Sequence, residues 1–204
     1  MHIRQLSIPD SYELTPVTRE DDRGAFVEWY RFDTLEAAVG HPLNLRQANL
    51  SVSKRGVVRG IHYADLPPSQ AKYVTVAHGA VLDYVIDIRV GSPTFGQWDS
   101  VRLDAQTHRA VYLSEGLAHA FVALTEEATV VYLVSDVYNP SAEHGINPLD
   151  PDINLVFPDD LGELLFSDKD REAPFLADAL KAGLLPNWGE AAHYYKSLNT
   201  LAGQ

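Results

Sequence analysis

The chain has 204 residues and a mass of 22.6 kDa, a size that suits one domain. Its 28 acidic and 16 basic side chains give a formal charge of −12. This charge disfavours nucleic acid or an anionic membrane as the main partner, because both repel a net anion. Residues 1–100 hold 10 basic and 12 acidic side chains, whereas residues 101–204 hold 6 and 16. Cationic binding chemistry must therefore lie mostly in the first half.

Cysteine is absent, which excludes disulfides, thiolate metal sites and a cysteine nucleophile and fits a reducing compartment. The N-terminal residues contain no apolar run of signal-peptide length. No stretch approaches the roughly 20 apolar residues that a membrane span needs. We therefore expect a cytoplasmic protein.

Short apolar or alternating segments, separated by Gly, Pro or Asp, run through the middle of the chain. They predict strands over 24–30, 46–52, 72–78, 81–90, 97–103, 110–113, 120–124 and 129–135. Such short, evenly spaced strands indicate an antiparallel sandwich or barrel.

Few segments predict helices. One covers 33–39 and ends at Gly40, and another covers 173–182 with Gly183 just past its end. The Pro-rich stretch from Pro140 to Pro158 predicts an ordered loop. Residues 1–204 are therefore expected to form a single domain, with a barrel over about 20–140 and helical packing over about 160–200.

The densest group of functional residue types is Arg59-Gly-Ile-His-Tyr63, with Lys72 following ten residues after His62. On a regular strand Arg59 and His62 point to opposite faces. A bulge or bend at Gly60 would turn both toward one cavity. Without it, His62 would be a hydrogen-bonded sheet histidine and Arg59 a surface cation.

Three further candidates also have plain structural explanations. His119 fits a buried polar group, Tyr132 fits a core aromatic residue, and Ser167–Asp170 fits a solvated turn. The remaining histidines have no supporting pattern and are interpreted as structural or surface residues: His2, His41, His78, His108, His144 and His193.

The sequence contains no H-x-H pair, which commonly supplies two metal ligands from one strand face, so it gives little indication of a metal site. His62, His119 and a remote carboxylate could still assemble a metal site. The Gly-rich loops of nucleotide-binding folds are also absent from the sequence.

Eight short motifs, each weak alone, together carry a family resemblance. In chain order they are Asp22–Glu28, Gln47–Asn49, Arg59–Tyr63, Gln70–Tyr73, Gly91–Gly96, Gly116–Phe121, Val131–Leu133 and Ser167–Asp170. From about residue 3 to 190 the chain closely resembles the dTDP-4-dehydrorhamnose 3,5-epimerases and their relatives in antibiotic deoxysugar pathways. The resemblance implies a metal-free cupin, which is a mainly β jelly-roll barrel with a few short, mostly C-terminal helices. It also implies no cofactor and a homodimer that exchanges N-terminal strands.

The resemblance implies a dTDP-linked 4-keto-6-deoxyhexose as the substrate, whose C4 ketone acidifies the protons on C3 and C5. Epimerisation needs a base on one side of the ring, an acid on the other, and a cation or donor at the enolate oxygen. By resemblance, His62 is the base, Asp170 holds its second ring nitrogen, Tyr132 is the acid and Lys72 steadies the enolate oxygen.

The resemblance also assigns substrate contacts. Arg59 and, from the partner subunit, Arg23 would bind the diphosphate, Tyr138 would stack on thymine, and His119 would lie beside the sugar. The other implied contacts are Phe26, Glu28, Gln47, Asn49, Lys72, Glu143 and Lys169.

Two alternatives to inversion at both carbons remain open. The chain could be a single-site 3- or 5-epimerase, or a ketoisomerase, of antibiotic deoxysugar biosynthesis. It could also be a ligand- or metal-binding cupin without epimerase activity, in which Tyr132 and Asp170 would be dispensable.

Overall fold

The computed structural model describes residues 1–201, with side chains through residue 198, so the last three residues of the predicted domain lie outside the description. The strands are β1 (His2–Gln5), β2 (Ser11–Thr15), β3 (Thr18–Asp21), β4 (Gly24–Val27), β5 (Gln47–Lys54), β6 (Val58–Ala64), β7 (Lys72–His78), β8 (Ala80–Ile86), β9 (Trp98–Asp104), β10 (Ala110–Leu113), β11 (Ala118–Ala123), β12 (Glu127–Val134) and β13 (Glu143–Gly145). The helices are α1 (Phe32–Val39), α2 (Asp168–Arg171), α3 (Leu176–Lys181) and α4 (Trp188–Leu201), with a 3₁₀ turn at Asp159–Leu161.

Two antiparallel sheets face each other. The six-stranded sheet has the order β1-β2-β10-β7-β12-β5, and the five-stranded sheet has the order β13-β6-β11-β8-β9. Strands β3 and β4 form a separate hairpin. The prediction of an antiparallel β sandwich or barrel is confirmed.

The main core lies between the two sheets and follows the two-residue period of the strands. Val74 and Val76 of β7 and Val81 and Val85 of β8 belong to this inner cluster, and Tyr132 packs at its margin. The same period places Lys72, Asp83 and Tyr132 on inward-facing positions of their strands. The interior is therefore apolar at one end and carries polar side chains at the other.

Both outer sheet faces are covered by other parts of the chain. Tyr84 and Ile86 on the five-stranded sheet pack with Leu161 and Leu176 of the C-terminal segment. On the six-stranded sheet, Leu14, Leu35, Leu43 and Tyr73 form the corresponding cluster with N-terminal elements. Leu161 and Leu176 thus join the C-terminal segment to the outer face of the five-stranded sheet.

Several element boundaries differ from the predictions. The strand expected over 24–30 ends at Val27, and helix α3 begins only at Leu176, because Pro174 disfavours a helical conformation at the preceding residue. The predicted loop over 140–158 includes β13, which pairs with β6.

Helix α4 lies in the segment expected to contribute helical packing, but the residue patterns did not delimit it as a helix. Its sequence has few apolar residues at helical spacing, and Gly189, His193 and Asn199 interrupt them. None of the helices within residues 1–201 is long and apolar enough to cross a membrane.

Candidate active site

A β-bulge at Gly60 shapes one wall of the site. His62 lies opposite His119 and Arg59 opposite Phe121, so β6 holds one more residue than β11 between these pairs. The extra residue changes the side of the sheet to which the neighbouring side chains point. As a result, Arg59 and His62 border the same cavity. Gly60 has φ of +122°, and a Cβ there would lie 2.6 Å from the carbonyl oxygen of His119. Only glycine fits this position, and the bend that would unite Arg59 with His62 is present.

A cavity of about 240 Å³ opens at the polar end of the space between the sheets. It is lined by Gln47, Asn49, His62, Gln70, Lys72, Tyr132, Tyr138, Glu143, His144 and Lys169. An adjoining cavity of about 340 Å³ shares His62 and Lys169 and adds Arg59 and Asp170. These two cavities, taken together, are called the catalytic cavity below.

His62 and Asp170 form a hydrogen-bonded pair at this cavity. The His62 Nε2 lies 2.7 Å from Asp170 Oδ1, and the Asp170 side chain is almost fully buried. Burial alone would raise the pKa of the Asp170 carboxyl, but the hydrogen bond and charge of His62 outweigh it, so this pKa lies below its ordinary value. An ionised carboxylate can only accept, so Nε2 carries the hydrogen and the Nδ1 lone pair is available as a base.

Helix α2 brings Asp170 to His62. The helix begins after Ser167, whose Oγ accepts a hydrogen bond from the Asp170 backbone N–H at 3.1 Å. A serine N-cap of this kind fixes the start of a short helix. The residues that resembled a solvated turn therefore orient a buried carboxylate.

Lys72 and Tyr132 enter the cavity from β7 and β12 of the six-stranded sheet, opposite His62 on the five-stranded sheet. Burial lowers the pKa of the Lys72 ammonium, and the charges of Glu143 and Asp83 oppose this shift. Burial also raises the pKa of the Tyr132 hydroxyl above its ordinary value, although the charge of Arg59 acts against it. Tyr132 is therefore protonated at neutral pH and can act as an acid.

A second histidine–aspartate pair lies inside the barrel. His119 Nε2 is 2.7 Å from Asp83 Oδ2, and both side chains are buried. Asp83 Oδ1 has no hydrogen-bond partner in the described part of the chain. Burial raises the pKa of the Asp83 carboxyl, against the influence of His119 and Lys72.

Asp83, Gln70 and His144 have no role predicted from the sequence. Gln70 and His144 border the catalytic cavity, whereas Asp83 lies inside the barrel beside His119. A signal for Asp83 existed, because it alternates with Val81 and Val85 at a core-facing position, and a core carboxylate requires a partner. Gln70 belongs to one of the eight motifs, but its residue type alone indicates no chemistry. His144 pairs with Asp65 at 2.7 Å, a contact with no local sequence signal.

Arg59, Gln47 and Tyr138 are held by specific hydrogen bonds. The Arg59 guanidinium donates to Ser53 Oγ at 3.0 Å and to the Val52 carbonyl at 3.3 Å. Gln47 donates to Asn49 Oδ1 at 2.7 Å and accepts from the Tyr138 backbone N–H at 3.0 Å. The Tyr138 side chain remains more than half exposed, so its ring is available to a ligand.

Three predicted binding residues lie on or beside the β3–β4 hairpin. Arg23 is 88% exposed and pairs with Asp21 at 2.6 Å, and Phe26 is 63% exposed. Glu28 borders a separate cavity of about 210 Å³. Within one chain, these residues do not join the lining of the catalytic cavity in the part that the structure describes.

A metal ion would need three or more suitable side chains close together. Across residues 1–201, no three or more His, Asp or Glu side chains are grouped so that they could hold a metal ion. His62 and His119 are instead engaged by separate aspartates.

Comparison with known proteins identifies the family. The family model described as dTDP-4-dehydrorhamnose 3,5-epimerase matches residues 5–178. A dTDP-4-dehydrorhamnose 3-epimerase from Streptomyces niveus is 54% identical over 188 residues, covering 92% of this chain and 90% of the relative. A dTDP-4-dehydrorhamnose 3,5-epimerase from Mycolicibacterium smegmatis is 51% identical over 198 residues, covering 97% of each.

Solved structures give the same result. The Mycobacterium tuberculosis RmlC epimerase superimposes with a TM-score of 0.95 at 48% identity, covering 97% of this chain and all of that one. A 3'-monoepimerase from Streptomyces bikiniensis, in complex with dTDP-quinovose, superimposes with a TM-score of 0.92 at 47% identity, covering 96% and 98%. The chain thus has the cupin-like fold of these enzymes, is an isomerase, and belongs to the dTDP-4-dehydrorhamnose 3,5-epimerase family.

Proposed function

We propose that this chain inverts C3 and C5 of dTDP-4-keto-6-deoxy-D-glucose to give dTDP-4-keto-L-rhamnose, in dTDP-rhamnose or deoxysugar biosynthesis. The observation that carries the proposal is the placement of His62 and Tyr132 on opposite sheets across one cavity. Inversion at carbon requires removal of a proton on one face and delivery on the other. A base and an acid on facing sheets meet this requirement.

His62 serves as the base in this proposal. Its Nδ1 takes the carbon-bound proton, which leaves an enolate and an imidazolium. Asp170 accepts the Nε2 hydrogen at 2.7 Å, fixes the tautomer and stabilises the positive charge on the ring, as the carboxylate does in a Ser-His-Asp triad. Solvent then removes the proton from Nδ1 and restores the neutral base.

Tyr132 completes the inversion. Its hydroxyl gives a proton to the opposite face of the same carbon, the enolate returns to the ketone, and the tyrosinate regains a proton from solvent. Lys72 stabilises the enolate oxygen, which carries most of the developing charge. His119, held by Asp83, lies beside the sugar.

The nucleotide end of the substrate is assigned to the rim of the cavity. Structures of relatives hold dTDP, dTDP-quinovose and dTDP-4-keto-L-rhamnose, which supports a dTDP-sugar here. Arg59 binds the diphosphate and Tyr138 stacks on the thymine ring. The other contacts come from Gln47, Asn49, Glu143 and Lys169, which border the same cavity.

A homodimer supplies the remaining contacts. The β3–β4 hairpin exposes Arg23 and Phe26, and β5, the outermost strand of its sheet, exposes Leu50 and Val52. An outer strand has unpaired backbone groups and readily accepts another strand. We infer that N-terminal strands are exchanged between two chains, which brings Arg23, Phe26 and Glu28 to the partner's cavity.

Inversion at C3 alone is the second candidate. The relative from Streptomyces niveus is described as a 3-epimerase and the structure from Streptomyces bikiniensis as a 3'-monoepimerase. Their identities to this chain, 54% and 47%, are similar to those of the double epimerases.

Incubation with dTDP-4-keto-6-deoxy-D-glucose in heavy water separates the candidates. Deuterium at C3 and C5, with formation of dTDP-4-keto-L-rhamnose, is the result expected. Deuterium at C3 alone would assign a 3-epimerase, and label at C5 alone a 5-epimerase. The absence of label at both carbons, or a stoichiometric metal in the purified protein, would instead favour a binding cupin.

A further inference from the structure

The segment 136–139 forms an exposed rim of the catalytic cavity and carries Tyr138. Val137 and Tyr138 are both more than half exposed. Two side-chain hydrogen bonds connect this segment to the barrel strands and their flanking residues. Gln47 Oε1 accepts from the Tyr138 N–H at 3.0 Å, and Gln70 Nε2 donates to the Asp136 carbonyl at 3.1 Å. The backbone at Asp136 and at Tyr138 is therefore held by two glutamine side chains.

Gln70 is anchored on both sides by its chain neighbours. Ser69 Oγ accepts a hydrogen bond from the Gly116 N–H at 3.1 Å. Ala71 donates its N–H to Ser135 Oγ at 2.9 Å and accepts from the Ser135 N–H at 3.1 Å. The side chain of Gln70 thus starts from a fixed backbone and reaches an exposed segment.

The Gln70 side chain also separates two spaces. It borders the catalytic cavity together with Lys72 and Tyr138, and it borders a cleft of about 60 Å³ beneath residues 136–143. Gln70 as a residue is only 9% exposed. The buried Gln70 amide lies between the start of β7 and the segment 136–139. It can therefore fix the position of that segment relative to the barrel.

We propose that Gln70 is a positioning residue that holds Tyr138 in place for the nucleotide end of the substrate. The inference rests on the proposed function, in which Tyr138 stacks on thymine. Gln70 acts through the Asp136 carbonyl, so its loss weakens binding of the nucleotide and leaves proton transfer at His62 and Tyr132 unchanged.

Replacement of Gln70 by Met tests this role, because Met has a similar length and no donor. Loss of one partly buried hydrogen bond predicts a rise of about five- to tenfold in KM and in the Kd for dTDP, with kcat within about twofold. Gln70→Asn keeps the amide but shortens the side chain, so the amide no longer reaches the Asp136 carbonyl. This variant is expected to show the same rise in KM and in the Kd for dTDP. Gln106→Met, at an exposed turn position, is the matched control and leaves KM and Kd unchanged.

A double-mutant cycle with Tyr138→Ala decides the mechanism. If Gln70 acts through Tyr138, Gln70→Met has no further effect on dTDP affinity once Tyr138 is absent, because residues that act as one unit are not additive. Additive losses, or a fall in kcat with an unchanged Kd, would overturn the proposal. Wild-type protein that neither binds dTDP nor exchanges deuterium would instead overturn the proposed function, so the two failures are distinguishable.

Discussion

His62 and Asp170 are 108 positions apart in the chain, yet their side chains meet at 2.7 Å across the wall of the cavity. His62 belongs to β6 of the barrel, whereas Asp170 belongs to α2 of the C-terminal segment. The barrel alone therefore provides the proposed base but not the carboxylate that is hydrogen-bonded to it. The C-terminal segment is part of the candidate active site as well as a cover for the five-stranded sheet.

Asp170→Asn is expected to reduce kcat by about 10²- to 10⁴-fold with little change in KM, by analogy with the triad carboxylate. The Asn amide can donate to Nε2, which moves the ring hydrogen to Nδ1 and removes the lone pair that the proposal assigns as the base. Initial rates of deuterium exchange, followed by NMR, measure the effect. Asp168→Asn on the same short helix is the control, and an equal loss there would contradict a specific role for Asp170.

His62→Ala is expected to abolish deuterium exchange at every ring carbon, because it removes the proposed base. Affinity for dTDP should remain largely intact, since the nucleotide contacts are assigned to Arg59 and Tyr138. Calorimetric titration with dTDP and exchange measured by NMR test the two halves of this prediction. Loss of dTDP binding to the same degree would make His62 a ligand contact and not the base.

Tyr132→Phe is expected to separate exchange from inversion. His62 can still remove a proton and return solvent deuterium to the same face, but the donor on the opposite face is missing. Labelled starting material should therefore accumulate while epimerised product falls by about 10²-fold or more, the usual effect of losing a general acid. Tyr194→Phe on α4 is the control. Full inversion by Tyr132→Phe would show that another group is the acid.

The β-sandwich could be predicted from the sequence because its strands are short, alternate in polarity and end at turn residues. Lys72 and Tyr132 occupy inward positions that the two-residue period already indicates. By contrast, the joint orientation of Arg59 and His62 depends on a bulge at Gly60, and periodicity alone cannot place a bulge. The local pattern left that orientation open for this reason.

Long-range pairings were the other part that residue patterns could not supply. Asp83 meets His119 and Asp65 meets His144 through strand register, and register depends on the whole sheet. The resemblance to a known family supplied the pairing of Asp170 with His62, which the turn-like sequence Ser167–Asp170 does not suggest. The resemblance includes Gln70 in a motif but assigns it no role, and its hydrogen bond is to the backbone carbonyl of Asp136.

Asp83→Asn is expected to lower activity without lowering stability at neutral pH. The Asn oxygen still accepts from His119, while the charge that faces Lys72 is lost. Burial raises the pKa of Asp83 in the folded state, so ionisation disfavours the fold. The contribution of Asp83 to the free energy of unfolding is therefore most favourable below its unfolded-state pKa of about 4. It is lost as the pH rises from there through the higher pKa of the folded state. Asn removes this loss.

Thermal unfolding between pH 4 and pH 8, a range chosen to start near the aspartate reference pKa, tests this expectation. The midpoint of Asp83→Asn should equal or exceed that of the wild type at neutral pH, and the difference should shrink toward acid. Asp152→Asn, at an exposed turn position, should change neither stability nor activity. A large fall in the midpoint of Asp83→Asn at neutral pH would contradict the argument.

Exchange of N-terminal strands predicts complementation between two inactive variants. Arg23→Ala damages the site of the partner chain, whereas His62→Ala damages the site of its own chain. In a heterodimer one cavity then has both intact residues, so unfolding and refolding an equal mixture should restore about one quarter of the wild-type sites. Activity after co-refolding measures this, with each variant refolded alone as the control. No recovery, from a mixture shown to contain heterodimers, would place Arg23 at the cavity of its own chain or outside the site altogether.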